Sequence, residues 1–135
     1  MAWQSYELDR AAQKLVLDAR QRDPKSLNQS HNMRMAVAYG LERFWGEHLR
    51  LKGREENKSD FWKETWDALQ RIMQEAGVTI PNDLVASNNT VQIKNMSEKL
   101  WALPVEDQRV ALAVLTQLCD CLVWWTQRYK VRGGR

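Results

Sequence analysis

The sequence predicts an all-α fold, a compact bundle of about five helices with a long central helix at its C-terminal end. Only six glycines and three prolines occur in 135 residues, which favours long elements over the many turns of a sandwich or barrel. Apolar residues make up 44% of the chain and include seven tryptophans, enough for a packed core. Apolar positions also recur at helical steps of three and four. We therefore expect one helical domain over residues 1–135, with a basic tail from about residue 130.

The first helix is predicted from about Ser5 to Arg22. Its apolar residues form one stripe at steps of four, three and four: Leu8, Ala12, Leu15 and Ala19. The segment "RDPKSLNQS" ends this helix, because Asp23 precedes Pro24 and is biased away from helical angles.

The second helix is predicted from about Gln29 to Lys52, with Asn28 or Ser30 as its cap and Gly53 as its left-handed stop. Its apolar face is broad and continuous: Met33, Val37, Gly40, Leu41, Phe44, Trp45, His48 and Leu49. The opposite side carries many of the chain's cations.

A third helix follows the hydrophilic loop "REENKSD", starts after Ser59 or Asp60 and reaches about Ala76, where Gly77 stops it. The segment "VTIPNDLVASNNT" reads as a linker, because Pro81 and two adjacent asparagines break its periodicity.

A fourth helix is predicted from a cap at Asn89 or Thr90 through Ala102, and Pro104 ends it and suits the first turn of the next. The last helix is the longest, and its core residues repeat at steps of four and three: Ala111, Leu115, Leu118, Leu122, Trp125 and Tyr129. Apolar residues leave it only a narrow polar strip, which predicts a central position.

The sequence offers no clear catalytic or metal site. Cys119 and Cys121 are two apart on a helix, diverge by roughly 200° and cannot readily bridge each other, so free thiols in a reducing compartment are expected. The two histidines, His31 and His48, complete no zinc site. We therefore predict no metal, no cofactor, no small-molecule substrate and no enzymatic activity.

No membrane association is predicted, and a cytoplasmic location is expected. The N-terminal "MAWQSYELDR" lacks the basic and apolar regions of a signal peptide. Thr116, Gln117 and Asp120 interrupt the longest apolar run below the roughly 18 residues that a span requires.

The net charge of +3 is small, but the cations cluster in residues 34–54 and 128–135. Arg43 and Arg50 lie seven residues apart, so they project from nearly one side of a helix. The pattern is compatible with a solvated helix face and with a surface that tracks a phosphate backbone. The nucleic-acid-binding candidates are Arg34, Arg43, Arg50, Lys52, Arg54, Arg128, Lys130 and Arg132.

Two other functions remain open at this point. The segment "RFWGEH" places Arg43 and His48 at an Arg-x4-His spacing, which resembles the signature of the helical HEPN ribonucleases, where paired Arg and His from two subunits act on RNA. Exposed tryptophans would instead mark a helical protein-interaction module. Trp124 and Tyr129 could stack on bases, although their helical spacing also suits a core or an interface.

Two segments resemble the small subunit of type III CRISPR effector complexes. They are the ending "LCDCLVWWTQRYKVRGGR" and the early segment "SLNQSHNMRMAVAYGLERF", in which a polar Ser-Gln element leads into a helix with an arginine. The resemblance implies a non-catalytic helical bundle that stacks with copies of itself and other effector subunits and contacts guide and target RNA through backbone phosphates. It assigns these contacts to Arg34, Arg128 and Lys130.

Overall fold

The computed structural model describes residues 5–130, which form six α-helices and two short 3₁₀ helices with no strand among them. The α-helices are α1 (Ser5–Arg22), α2 (Gln29–Ala36), α3 (Leu41–Leu51), α4 (Glu56–Glu75), α5 (Thr90–Trp101) and α6 (Val105–Tyr129). The 3₁₀ helices, Pro24–Asn28 and Val37–Tyr39, precede and follow α2. The all-α prediction and the long C-terminal helix are confirmed.

The core forms where α6 packs along α1 and α2 and where α4 packs against α1 and α3. Leu115, Leu118 and Leu122 of α6 are fully buried, as the repeat of apolar residues predicts. On the other side of the core, the ring of Phe44 from α3 lies 4.9 Å from the ring of Trp62 on α4. This aromatic contact joins α3 to α4 through apolar burial.

The prediction of one helix from Gln29 to Lys52 is wrong, so the described residues form six α-helices where about five were predicted. Gly40 has φ 97° and ψ 174°, a conformation that essentially only glycine adopts. Its N–H donates to the carbonyl of Val37 at 3.1 Å, which closes the 3₁₀ helix before α3 starts. The apolar pattern continues across this break and therefore conceals it.

The other helix ends agree closely with their predicted positions, with one exception. Asn89 caps α5 as predicted, since its side chain accepts from the N–H of Gln92 at 3.0 Å. The start of α4 at Glu56 precedes the predicted cap at Ser59 or Asp60. Ser59 does not cap α4, because its hydroxyl donates to the carbonyl of His48 on α3 at 2.7 Å.

The predicted linker between α4 and α5 has no helix or strand in residues 78–89. Ile80 buries its side chain in the core, and the indole N–H of Trp66 donates to the carbonyl of Pro81 at 3.2 Å. Asn82 adds hydrogen bonds with two side chains of α4, so several contacts hold this segment against α4.

Helix α6 is also long and apolar enough to cross a membrane, judged by length and composition alone. A core helix of a soluble protein passes the same test, and 33% of the most apolar stretch of α6 is buried inside the bundle. One such helix is weak evidence for a span, and the absence of a span stays a prediction.

Candidate nucleic-acid interface

Helix α2 and the C-terminal half of α6 lie side by side and form a seam, which we call the α2–α6 seam. The hydroxyls of Ser30 and Thr126 are 2.6 Å apart, and further along, the Nε of Arg34 lies 2.7 Å from Oδ1 of Asp120. Residue numbers rise along α2 as they fall along α6, so the two helices are antiparallel.

A groove of about 790 Å³ opens at one end of this seam. The 3₁₀ helix Pro24–Asn28, the first turn of α2 and the last two turns of α6 line it. Leu27 and Val123 supply part of its apolar surface. Lys25 in the 3₁₀ helix and Lys130 directly after α6 supply two cations. The groove thus combines an apolar surface with positive charge at its edges.

Positive charge exceeds negative charge around the groove, with two lysines against one carboxylate. Asp23 is the only carboxylate among the lining residues, and its side chain already accepts from the N–H of Lys25 at 3.0 Å. The sequence has no acidic residue in positions 24–41 or 121–130. An anion in the groove would therefore meet little opposing charge.

Arg34 lies one turn beyond the groove on the same seam. Its partner in the ion pair, Asp120, is 61% exposed at its side chain, and Arg34 is 41% exposed. An ion pair this open to water contributes little to folding, typically about 0–1 kcal/mol. Its arginine can therefore exchange the carboxylate for a phosphate at small cost.

Arg128 belongs to the end of α6 but does not line the groove. Its guanidinium carbon lies 5.9 Å from the ring centre of Trp124 and 5.4 Å from that of Trp125. These distances are within the range of cation–π attraction. No ion pair holds Arg128 within the described part of the chain.

The remaining described candidates lie on or just after α3, which packs mainly against α4 and also contacts α5. Arg43 lies over the ring of Tyr39, with 5.5 Å between guanidinium carbon and ring centre. Arg50 forms two hydrogen bonds with Glu47, of 2.7 and 2.5 Å, and the hydrogen-bonded carboxylate raises the pKa of Arg50. These residues form a second group of cations, apart from the α2–α6 seam.

The end of this second group is also partly paired. Lys52 forms an ion pair with Glu56 at 3.1 Å. Arg54 is exposed and has no ion pair among residues 5–130. Arg132 lies outside the described residues. Of the eight predicted binding residues, Arg34 and Lys130 lie on the α2–α6 seam.

Lys25 and His31 also line the groove, although neither is among the candidates predicted from the sequence. Lys25 falls in the segment that was assigned only as a helix break, and His31 was considered only as a metal ligand. The available signal was the run of residues 24–41 without an acidic side chain. It becomes meaningful once that run is known to face the equally acid-free end of α6.

The pair that suggested a ribonuclease does not share an open site within this chain. His48 is only 7% exposed, and its Nδ1 donates to the carbonyl of Trp45 at 2.5 Å. Burial lowers the pKa of His48 from its ordinary value of 6.5. Arg43 is exposed and contacts the ring of Tyr39 instead. One side chain of the pair therefore lies at the surface and the other lies in the interior.

Metal and thiol chemistry find no support in the described residues. No group of three or more His, Cys, Asp or Glu side chains between residues 5 and 130 could hold a metal ion. Both cysteines are free, and burial raises the pKa of Cys119 to about 12 and that of Cys121 to about 11. Their thiolates, the reactive forms, are therefore scarce near neutral pH.

Comparison of the chain with protein-family models, with curated proteins and with solved structures finds no match.

Proposed function

We propose that this chain is a non-catalytic RNA-binding subunit of a CRISPR ribonucleoprotein, of the small-subunit type, and that RNA lies along the α2–α6 seam. One observation carries the proposal. The two segments that resemble the type III small subunits, residues 26–44 and 118–135, are remote in sequence, yet their described parts pack together as the two sides of this seam.

The charges of the seam support contact with a phosphate backbone. Lys25 and Lys130 border the groove, and Arg34 continues the row in the next turn of α2. Lysine and arginine bind phosphates without reading the base sequence and release counterions as they do so. In the assembled particle, the partners would be guide and target RNA, other effector subunits and further copies of this chain.

A salt series tests the proposal. The measurement is the anisotropy of a labelled single-stranded RNA, titrated with the full chain at several salt concentrations. The slope of log K against log salt is negative, and each lost phosphate contact reduces its magnitude by about 0.7. Lys25→Ala with Lys130→Ala should therefore reduce the magnitude of this slope by about 1.4.

The matched control replaces two exposed cations elsewhere on the bundle. Lys94→Ala with Arg109→Ala removes the same charge from α5 and the start of α6, where both side chains pair with nearby glutamates. This control should keep the wild-type slope. Absent RNA binding at low salt, or equal losses in both double variants, would contradict the proposed site.

Sequence dependence gives a second test. Arg128→Ala with Lys130→Ala should weaken binding to RNAs of different sequence by about the same factor, because phosphate contacts carry no sequence information. A loss confined to one RNA sequence would argue against contact through the backbone.

One observation favours a second candidate function, a helical protein-interaction module. Trp101 is 63% exposed and Val105 is 66% exposed, and both flank the turn between α5 and α6. Large exposed side chains of this kind often anchor partners. If the module were the function, Trp101→Ala would abolish copurification of a partner while the chain showed no affinity for RNA.

The ribonuclease alternative has its own direct test. Labelled RNA incubated with the chain should stay intact, since Arg43 and His48 do not share an open site. Cleavage that disappears in His48→Ala would establish a nuclease instead.

A further inference from the structure

The three aromatic residues near the end of α6 differ in what they contact. The indole N–H of Trp125 donates to Asp9 on α1 at 3.2 Å, and the hydroxyl of Tyr129 accepts from Gln13 on α1 at 3.0 Å. Their rings are stacked, with centres 5.8 Å apart and planes 15° apart. Trp125 and Tyr129 are therefore committed to packing between α1 and α6.

Trp124 has a different environment. Its side chain projects from α6 about 100° around the helix axis from that of Trp125, and 54% of its surface is exposed to water. Its indole N–H has no hydrogen-bond partner among the described residues. A large flat ring thus remains open on the surface, next to an arginine.

Arg128 lies one turn beyond Trp124 and approaches the rings of both tryptophans. Because one guanidinium contacts two rings, it restrains the exposed ring of Trp124 and holds a positive charge beside it. That charge is not neutralised by a carboxylate of the described chain. The pair therefore offers a π-face and an unpaired cation side by side.

We propose that Trp124 and Arg128 form a stacking platform for one unpaired base of an RNA strand, with Arg128 also contacting an adjacent phosphate. This inference rests on the RNA binding proposed above and extends it, because the seam itself would hold only the backbone. A nucleotide supplies both the flat ring and the anion that this pair lacks. An apolar protein surface would cover Trp124 but leave the charge of Arg128 unmatched.

Two strands of equal length and charge separate stacking from charge. One is a single-stranded RNA, and the other has the same backbone with abasic ribose at every position. At fixed salt, the full chain should bind the intact strand about 5- to 150-fold more tightly, the range expected for one stacked base.

Variants then assign the preference to residues. Trp124→Ala should abolish most of the preference for the intact strand while leaving affinity for the abasic strand unchanged, and Trp124→Phe should restore part of it. Arg128→Gln should weaken both strands. Trp101→Ala, which removes a still more exposed tryptophan on α5, should change neither affinity. Because Trp124 is exposed, its variants should fold, which circular dichroism checks.

Equal wild-type affinity for the two strands, or equal losses for both strands in Trp124→Ala, would overturn the stacking platform while leaving backbone binding intact. Loss of a protein partner in Trp124→Ala with an unchanged strand preference would assign Trp124 to a protein contact and also overturn it. Failure of the chain to bind either strand would instead refute the proposed function.

Discussion

Gly40 should be indispensable to the break between α2 and α3, and Gly40→Ala tests this. With φ 97° and ψ 174°, position 40 lies in a region where an L side chain costs about 1–3 kcal/mol. A Cβ added there meets nothing within 4 Å, so steric clash adds nothing. Alanine also stiffens the unfolded chain, which offsets about 0.4–1 kcal/mol. At the middle of these ranges, the free energy of unfolding should fall by about 1.3 kcal/mol.

Gly46 provides the matched control, because it lies inside α3 and has no positive φ. A Cβ at this position would be 3.6 Å from the Oε2 atom of Glu42, an ordinary contact. Gly46→Ala should therefore raise the free energy of unfolding by about 0.5–1 kcal/mol. Denaturant titration followed by circular dichroism measures both variants, and unchanged m-values would show that only stability differs.

The outcome that refutes this reasoning is equally specific. If Gly40→Ala matched the wild type or gained stability as Gly46→Ala does, the chain would run as one helix through position 40. The apolar pattern on its own favours that arrangement.

Three further predictions concern titration, thiols and the seam. Burial lowers the pKa of His48 below 6.5, so the unfolded chain binds a proton first as the pH falls below 6.5. The free energy of unfolding should therefore decrease in that window in the wild type and less in His48→Gln, and equal pH profiles would contradict it. Cys119 and Cys121 should react slowly with a thiol reagent in the native chain and fully in denaturant, because burial raises both pKa values; fast native labelling of Cys119 would contradict its burial. Arg34→Ala should lower the free energy of unfolding by less than about 1 kcal/mol and should weaken RNA binding. Asp120→Asn removes the charge that pairs with Arg34 and should strengthen RNA binding a few-fold. A weaker RNA affinity in Asp120→Asn would argue against Arg34 as a phosphate contact.

Much of the helical architecture follows from local signals in the sequence. The ends of α1 and α5 lie within about one residue of their predicted positions, because Asp23 before Pro24 and the cap at Asn89 act over a few residues. The break at Gly40 escaped prediction for the opposite reason. A glycine is compatible with an apolar helix face and with a left-handed turn, and only packing selects between them.

The candidate site shows the same division. The sequence identifies three cations near polar or aromatic segments, namely Arg34, Arg128 and Lys130. It does not indicate which of them share a surface. The break at Gly40 separates α3 and its cations from α2. Arg128 and Lys130, two residues apart, end up in different surroundings.

The amino-acid sequence by itself determined the fold class, most helix ends and the acid-free stretches at residues 24–41 and 121–130, since periodicity and capping are properties of neighbouring residues. Only the tertiary structure decided that these stretches face each other, through a contact between Ser30 and Thr126, 96 residues apart. Such a pairing depends on how all the helices share one core, and no local pattern encodes it. For the same reason only the folded chain distinguishes the packed Trp125 from the exposed Trp124.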